Sequence, residues 1–133
     1  MILTQLLSLI EQETRLKSEW DDPNYLADLL PRLASYYATL GPFVADAELE
    51  ADDAEITYKV NLATEAANQI EERGLSVAAA EKNAISETED TRRLHAKLHH
   101  KARLLFLARQ SLSVTIDAVR SKLSFIKIDM ETK

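Results

Sequence analysis

Apolar residues recur at helical spacing along the whole chain, and strand-like alternation is weak. Near the N-terminus, Leu3, Leu6, Leu7 and Ile10 follow the i, i+3, i+4 spacing that places side chains on one face of a helix. The residues that interrupt helices are few: Pro23, Pro31, Gly41, Pro42 and Gly74. This pattern predicts an all-α fold.

The punctuating residues divide the chain into predicted elements. A first helix is expected over 2–18 and a second over about 25–39, ended by the Gly41-Pro42 pair. A third helix over about 43–73 would stop at Gly74, and its inner face would be rich in alanine. That inner face comprises Ala47, Ala51, Ala54, Tyr58, Leu62, Ala66 and Ile70. We expect a single domain, with an N-terminal helical segment over 1–42 and a long helical hairpin over 43–133.

The C-terminal part carries a heptad pattern. After a Ser76 cap and a break near 86–91, apolar residues repeat every seven positions, at Leu98, Leu105, Leu112, Val119 and Ile126. A second row four residues on is interrupted only by Arg109. The pattern predicts a long, coiled-coil-like C-terminal helix.

One segment of that helix is apolar on every side. The four residues from Leu104 to Leu107 point all round a helix, and one partner helix cannot cover them all. The sequence therefore predicts a homo-oligomer. We expect these apolar residues at its subunit interface: Leu105, Phe106, Leu112, Ile116, Val119 and Leu123.

Charge is divided unevenly along the chain. Residues 1–90 carry 19 of the 22 acidic and 6 of the 16 basic residues, a formal charge of −13, whereas residues 91–133 carry +7. The basic segment opens at Arg92-Arg93. Within it Arg93, Lys97 and Lys101 share one helix face, with Arg92, His100 and Arg103 beside it. Such a face can bind phosphates without reading bases, or it can be solvated or paired with the acidic helix.

The sequence lacks the residues that several classes of chemistry require. There is no cysteine, so disulfides and thiolate chemistry are excluded. His95 and His99 have the i, i+4 spacing of a metal pair but no third ligand nearby, and no nucleophile–base pair or phosphate loop is present. We predict no enzyme, no metal and no cofactor. The absence of a signal-peptide pattern or a long apolar run predicts a cytoplasmic protein without membrane contact.

The end of the chain resembles a known family. Ile116-Asp117-Ala118-Val119-Arg120-Ser121, followed by Ile126-Lys127 and Asp129-Met130, is similar to the C-terminal part of the UvsY recombination mediators of T-even phages. The order of helices over roughly 45–130 is similar too. The resemblance implies a helical homo-oligomer that binds single-stranded DNA and helps a RecA-like recombinase displace single-strand-binding protein.

The sequence departs from that family in one respect. The helix before the glycine turn is basic in the family but acidic here, and Lys59 is nearly its only cation. The DNA contacts are therefore expected mainly within 92–103. The full candidate set is Lys59, Arg92, Arg93, Lys97, His100, Lys101 and Arg103.

Two other functions remain open on the sequence alone. The acidic half is typical of a protein-binding adaptor or of an inhibitor that mimics DNA. A plain structural oligomer of helices is also consistent with the pattern.

Overall fold

The computed structural model describes residues 2–15 and 17–132. Within them the chain forms α-helices and no strand, so the all-α prediction is confirmed. The helices are α1 (Leu3–Arg15), α2 (Pro23–Arg73), α3 (Val77–Glu87) and α4 (Glu89–Thr132). A short 3-10 helix, Lys17–Asp21, lies between α1 and α2. The predicted first helix over 2–18 extends across residue 16, which lies outside the described residues.

The turns on either side of α3 form as the sequence predicts. Gly74 ends α2 with a φ of 63°, a left-handed conformation that costs glycine little because it has no Cβ. The Ser76 hydroxyl accepts a hydrogen bond of 3.3 Å from the Ala79 N–H and caps α3. Thr88 separates α3 from α4 within the predicted break.

The predicted helix end at Gly41-Pro42 is wrong, because α2 continues through both residues and also through Pro31. An interior proline costs a helix about 3 kcal/mol. Burying one leucine side chain contributes about 1.5–3 kcal/mol, and Leu29, Leu33 and Leu40 are all fully buried along this stretch. Both prolines lie on the exposed side of α2, so the carbonyls they leave without a donor can be solvated.

The chain forms two compact units. Unit 1 consists of Met1–Val44 and Leu105–Lys133, and unit 2 consists of Ala45–Leu104. The expected hairpin segment 43–133 therefore contributes to both units. Helices α2 and α4 each have one part in unit 1 and another in unit 2.

Unit 1 has a leucine-rich core between α2 and α4. Leu26, Leu29 and Leu33 of α2 form one cluster with Leu112, Ile116 and Val119 of α4. Partly buried aromatic and aliphatic side chains surround it, among them Trp20, Tyr25, Tyr36 and Tyr37.

This core buries most of the residues that were expected at the subunit interface. Leu112, Ile116 and Val119 are at most 6% exposed because their own chain covers them, and Leu105 is buried as well. Leu123 is partly buried against the same core. Of the six expected residues, only Phe106 is an exposed side chain, at 42%. Of the expected interface, this packing therefore leaves mainly Phe106 accessible to a second subunit.

Unit 2 places α2 and α4 side by side in opposite directions. Glu50 of α2 lies near Lys101 of α4, whereas Tyr58, further along α2, stacks on His95, which comes earlier in α4. Ala47, Ala51 and Ala54 are buried, as the predicted inner face requires, and so are Ala80 and Ala84 of α3.

The C-terminal end of that inner face differs from the prediction. Ile70 is 39% exposed, and Gln69 takes the buried position at 2% exposure. The Gln69 amide donates a hydrogen bond of 3.1 Å to Glu65. One residue along a helix turns a side chain by about 100°, so the prediction had the correct helix but the wrong face at this point.

Candidate functional site

The basic side chains of α4 occupy the exposed half of the helix within unit 2. Ala102 is buried and His95 partly buried, whereas residues about half a turn away lie on the surface. Every basic residue that the sequence singled out on α4 is exposed: Arg92, Arg93, Lys97, His100, Lys101 and Arg103. We call this surface the basic face.

At one end of the basic face, two arginines share one carboxylate. Arg93 Nη2 lies 2.9 Å from Glu89 Oε1, and Arg92 Nη2 lies 3.6 Å from the same oxygen. The Arg93 side chain is 72% exposed and that of Glu89 47%. Exposed pairs of this kind contribute only about 0–1 kcal/mol, so a phosphate can replace the carboxylate at little cost.

The middle of the basic face is less constrained. Lys97 and His100 are exposed, and neither forms an ion pair with the described part of the chain. Lys101 Nζ lies 3.9 Å from Glu50 Oε2 of α2, a long contact between two half-exposed side chains. Lys101 and Glu50 therefore form a weak contact between the basic and acidic helices, and Lys97, His100 and Lys101 are exposed to solvent.

Lys59 stands apart from these residues, on α2. Its ammonium donates to Glu55 at 3.0 Å. The hydrogen bond and the positive charge from Lys59 hold the pKa of the Glu55 carboxyl below its usual range, and His95 and His99 act in the same direction. Lys59 is thus paired with a carboxylate of its own helix, whereas the other cations of the candidate set lie on α4.

The two histidines with metal-like spacing have a different setting. The His95 ring is parallel to Tyr58, with centroids 6.1 Å apart and planes inclined by 10°. The His99 ring is tilted by 47° at 6.0 Å from His95. Within residues 2–15 and 17–132, no group of three His, Cys, Asp or Glu side chains is placed to hold a metal ion.

Sequence reasoning missed the carboxylates that moderate the basic face. Glu89 could have been found, because acidic residues three and four positions before an arginine pair with it on a helix. Glu50 and Glu55 could not, since only tertiary packing brings them to α4.

A second charged surface lies on the same unit. Asp46, Glu48, Asp52 and Asp53 of α2 are exposed and form no ion pair with the described residues. Unit 2 therefore presents an acidic stretch of α2 and the basic face of α4.

The basic face can bind a polyanion. Its cations are exposed, and the ion pairs of Arg92, Arg93 and Lys101 join exposed or half-exposed side chains. Arginine and lysine side chains in this arrangement bind phosphate oxygens, which fixes position without reading sequence.

No protein-family model, curated protein or solved structure matches the chain. Over the described residues, no helix has both the length and the hydropathy to cross a membrane.

Proposed function

We propose that this protein is a non-enzymatic recombination mediator that binds single-stranded DNA through the basic face. In this proposal the protein acts as a homo-oligomer in the cytoplasm. It helps a RecA-like recombinase to load onto single-stranded DNA and to displace single-strand-binding protein. The exposure of the six basic side chains on α4 carries the proposal. The resemblance of the segment from Ser113 to Met130 to the UvsY family supports the recombinase and the single-strand-binding protein as partners.

The chemistry of the basic face favours backbone binding. Arg93, Lys97 and Lys101 follow one another at four-residue steps, and together they extend about 12 Å along the helix. Each phosphate contact releases condensed counterions, so the affinity should fall as salt rises. Because contacts to phosphate oxygens carry no base information, affinity should depend little on sequence.

A charge-matched pair of triple variants tests the proposal. Replacing Arg93, Lys97 and Lys101 by Ala should weaken binding of single-stranded DNA, and should flatten the slope of log K against log salt by about 0.7 per lost contact. The control replaces Lys82, Arg120 and Lys127, which are exposed elsewhere, and removes the same charge. Equal loss in both variants, or no loss in the first, contradicts the basic face as the DNA site.

The exposed acidic stretch of α2 favours one second candidate. It fits an adaptor or inhibitor that docks on a basic protein, with the carboxylates in the place of DNA phosphates. Changing Glu48, Glu50, Asp52 and Asp53 to their amides separates the two functions. A mediator would keep or raise its DNA affinity, whereas an adaptor would lose its basic partner and would never have bound DNA.

A further inference from the structure

The outward side of α2 in unit 2 carries an apolar row that is interrupted by one aspartate. Leu49 and Ile56 are each 61% exposed, Val60 is 57% exposed and Ile70 39%. Exposed alanines fill the gaps between them, so the row steps alternately by four and three residues. Asp53 is its only polar member. The row, which we call the outer seam, comprises Leu49, Asp53, Ile56, Val60, Ala63, Ala67 and Ile70.

The outer seam lies opposite the face that packs within the chain. Ala51 of the inner face comes five residues before Ile56 of the seam, and Tyr58 comes five residues before Ala63. Five residues turn a helix by about 140° beyond one full turn, so the two faces point in nearly opposite directions. The α2 helix therefore has two apolar faces, of which unit 2 covers one. Alternating steps of three and four residues are the pattern of a coiled-coil seam, which requires a second helix.

The seam is uneven in size along its length. Its N-terminal half presents the bulky Leu49 and Ile56, and its C-terminal half presents Ala63 and Ala67. Beside the alanines a groove of about 330 Å³ opens between α2 and α3. It is lined by Lys59, Leu62, Ala63, Ala66, Glu81 and Ile85. The bulky Ile56 of one seam can thus match the small Ala63 and the groove of another, whereas Ile70 is the bulky residue at the C-terminal end of the seam.

The net charge of α2 also differs between the two halves of the seam. Residues 45–56 contain six acidic and no basic residues, whereas residues 57–73 have a net charge of −1 and include Lys59 and Arg73. Two seams in parallel would set the acidic halves against each other and would place Asp53 opposite Asp53. Antiparallel pairing sets each acidic half against the half that contains the cations.

We propose that the outer seam binds the outer seam of a second copy of this chain in antiparallel orientation. Leu49 of each copy then lies beside Ala67 and Ile70 of the other, and Ile56 lies beside Ala63 and the groove. The contact belongs to α2 rather than to the α4 residues predicted from the sequence. It rests on the self-association in the proposed function, but not on DNA binding.

Sedimentation equilibrium of the full chain tests the contact. The double variant Ile56→Lys, Val60→Lys should weaken self-association at least about tenfold, because it places charge in the seam. These side chains are exposed in the single chain, so the fold should survive, as circular dichroism would show. The control is Val114→Lys, Phe125→Lys, which alters apolar residues of α4 that are 64% and 67% exposed.

Cross-linking tests the orientation. The chain has no cysteine, so single substitutions give unambiguous products. With a short thiol-reactive linker, a mixture of Leu49→Cys and Ile70→Cys chains should give the mixed dimer, and each variant alone should give little. Efficient linking of each variant to itself shows parallel pairing and overturns the antiparallel contact.

The outcomes separate this contact from the proposed function. A parent chain that stays monomeric overturns both the contact and the homo-oligomer, and a gel shift then decides DNA binding by itself. If the seam variant still self-associates as the parent does and the α4 control does not, the contact is overturned but the homo-oligomer is not. Loss of association only in the seam variant supports it.

Discussion

Arg109 lies against Gly41 so closely that a Cβ on Gly41 would come within 3.1 Å of Arg109 Nη2. The Arg109 Nε donates a hydrogen bond of 3.2 Å to the Tyr37 carbonyl, and the guanidinium sits 3.9 Å from the centre of the Tyr37 ring. This explains the one polar residue in the second heptad row of α4. Arg109 holds the turn of α2 that contains Gly41 and Pro42, where an interior proline weakens the helix.

A double-mutant cycle tests this relationship. In the Arg109→Ala background, Gly41→Ala should raise the free energy of unfolding by about 1 kcal/mol, the ordinary helix preference of alanine over glycine. In the parent the gain should vanish or reverse, because the new methyl displaces the guanidinium. Urea unfolding measures all four proteins. If Gly41→Ala changes the free energy of unfolding equally in both backgrounds, the Arg109 contact does not require glycine at position 41.

Leu112 tests the intramolecular core of unit 1. It is 2% exposed, so Leu112→Ala should lower the free energy of unfolding by about 2–5 kcal/mol. Val114→Ala, two residues away and 64% exposed, should change it by less than about 0.5 kcal/mol. The loss at Leu112 should not vary with protein concentration. A strong concentration dependence would place Leu112 at a subunit contact instead.

Tyr36 should give the protein a loss of stability at alkaline pH. Burial raises the pKa of the phenol above its ordinary value of 10.0, and the hydrogen bond and negative charge of Glu13 act in the same direction. The folded state therefore holds this proton more tightly than the unfolded state. Its contribution to stability is complete below the unfolded pKa and declines as pH rises through the folded pKa.

The measurement is urea unfolding between about pH 9 and pH 11, compared for the parent and Tyr36→Phe. The phenylalanine variant should lose less stability over this range. Tyr25→Phe serves as the control, since Tyr25 is also partly buried against the unit 1 core. Identical pH profiles for the parent and Tyr36→Phe would contradict the raised pKa.

The carboxylates beside the basic face should restrain DNA binding. Glu50→Gln with Glu89→Gln removes the acidic partners of Lys101, Arg92 and Arg93, and should raise the affinity for single-stranded DNA at low salt. Glu19→Gln with Glu87→Gln makes the same charge change at exposed positions outside the basic face and the outer seam. A gel shift compares them. Equal gains would show that net charge alone acts, and reduced affinity would contradict the proposed competition.

The sequence alone determined the features that depend on neighbouring residues. Gly74 is where α2 ends because glycine adopts a positive φ without strain, and Ser76 caps α3 because its hydroxyl reaches an N–H three residues on. The sequence also identified the cations of the candidate site, because the four-residue spacing of Arg93, Lys97 and Lys101 places them on one helix face. Each of these features needs only a few consecutive residues.

Only the tertiary structure decided which helix faces are covered and where α2 ends. Local chemistry predicts a break at Gly41-Pro42, but burial of Leu40 and the Arg109 contact keep the helix continuous there. The heptad row of α4 and the outer seam of α2 have similar patterns, yet Leu112 is buried and Ile56 is exposed. Periodicity specifies that a face is apolar, whereas the packing of distant segments specifies what covers it.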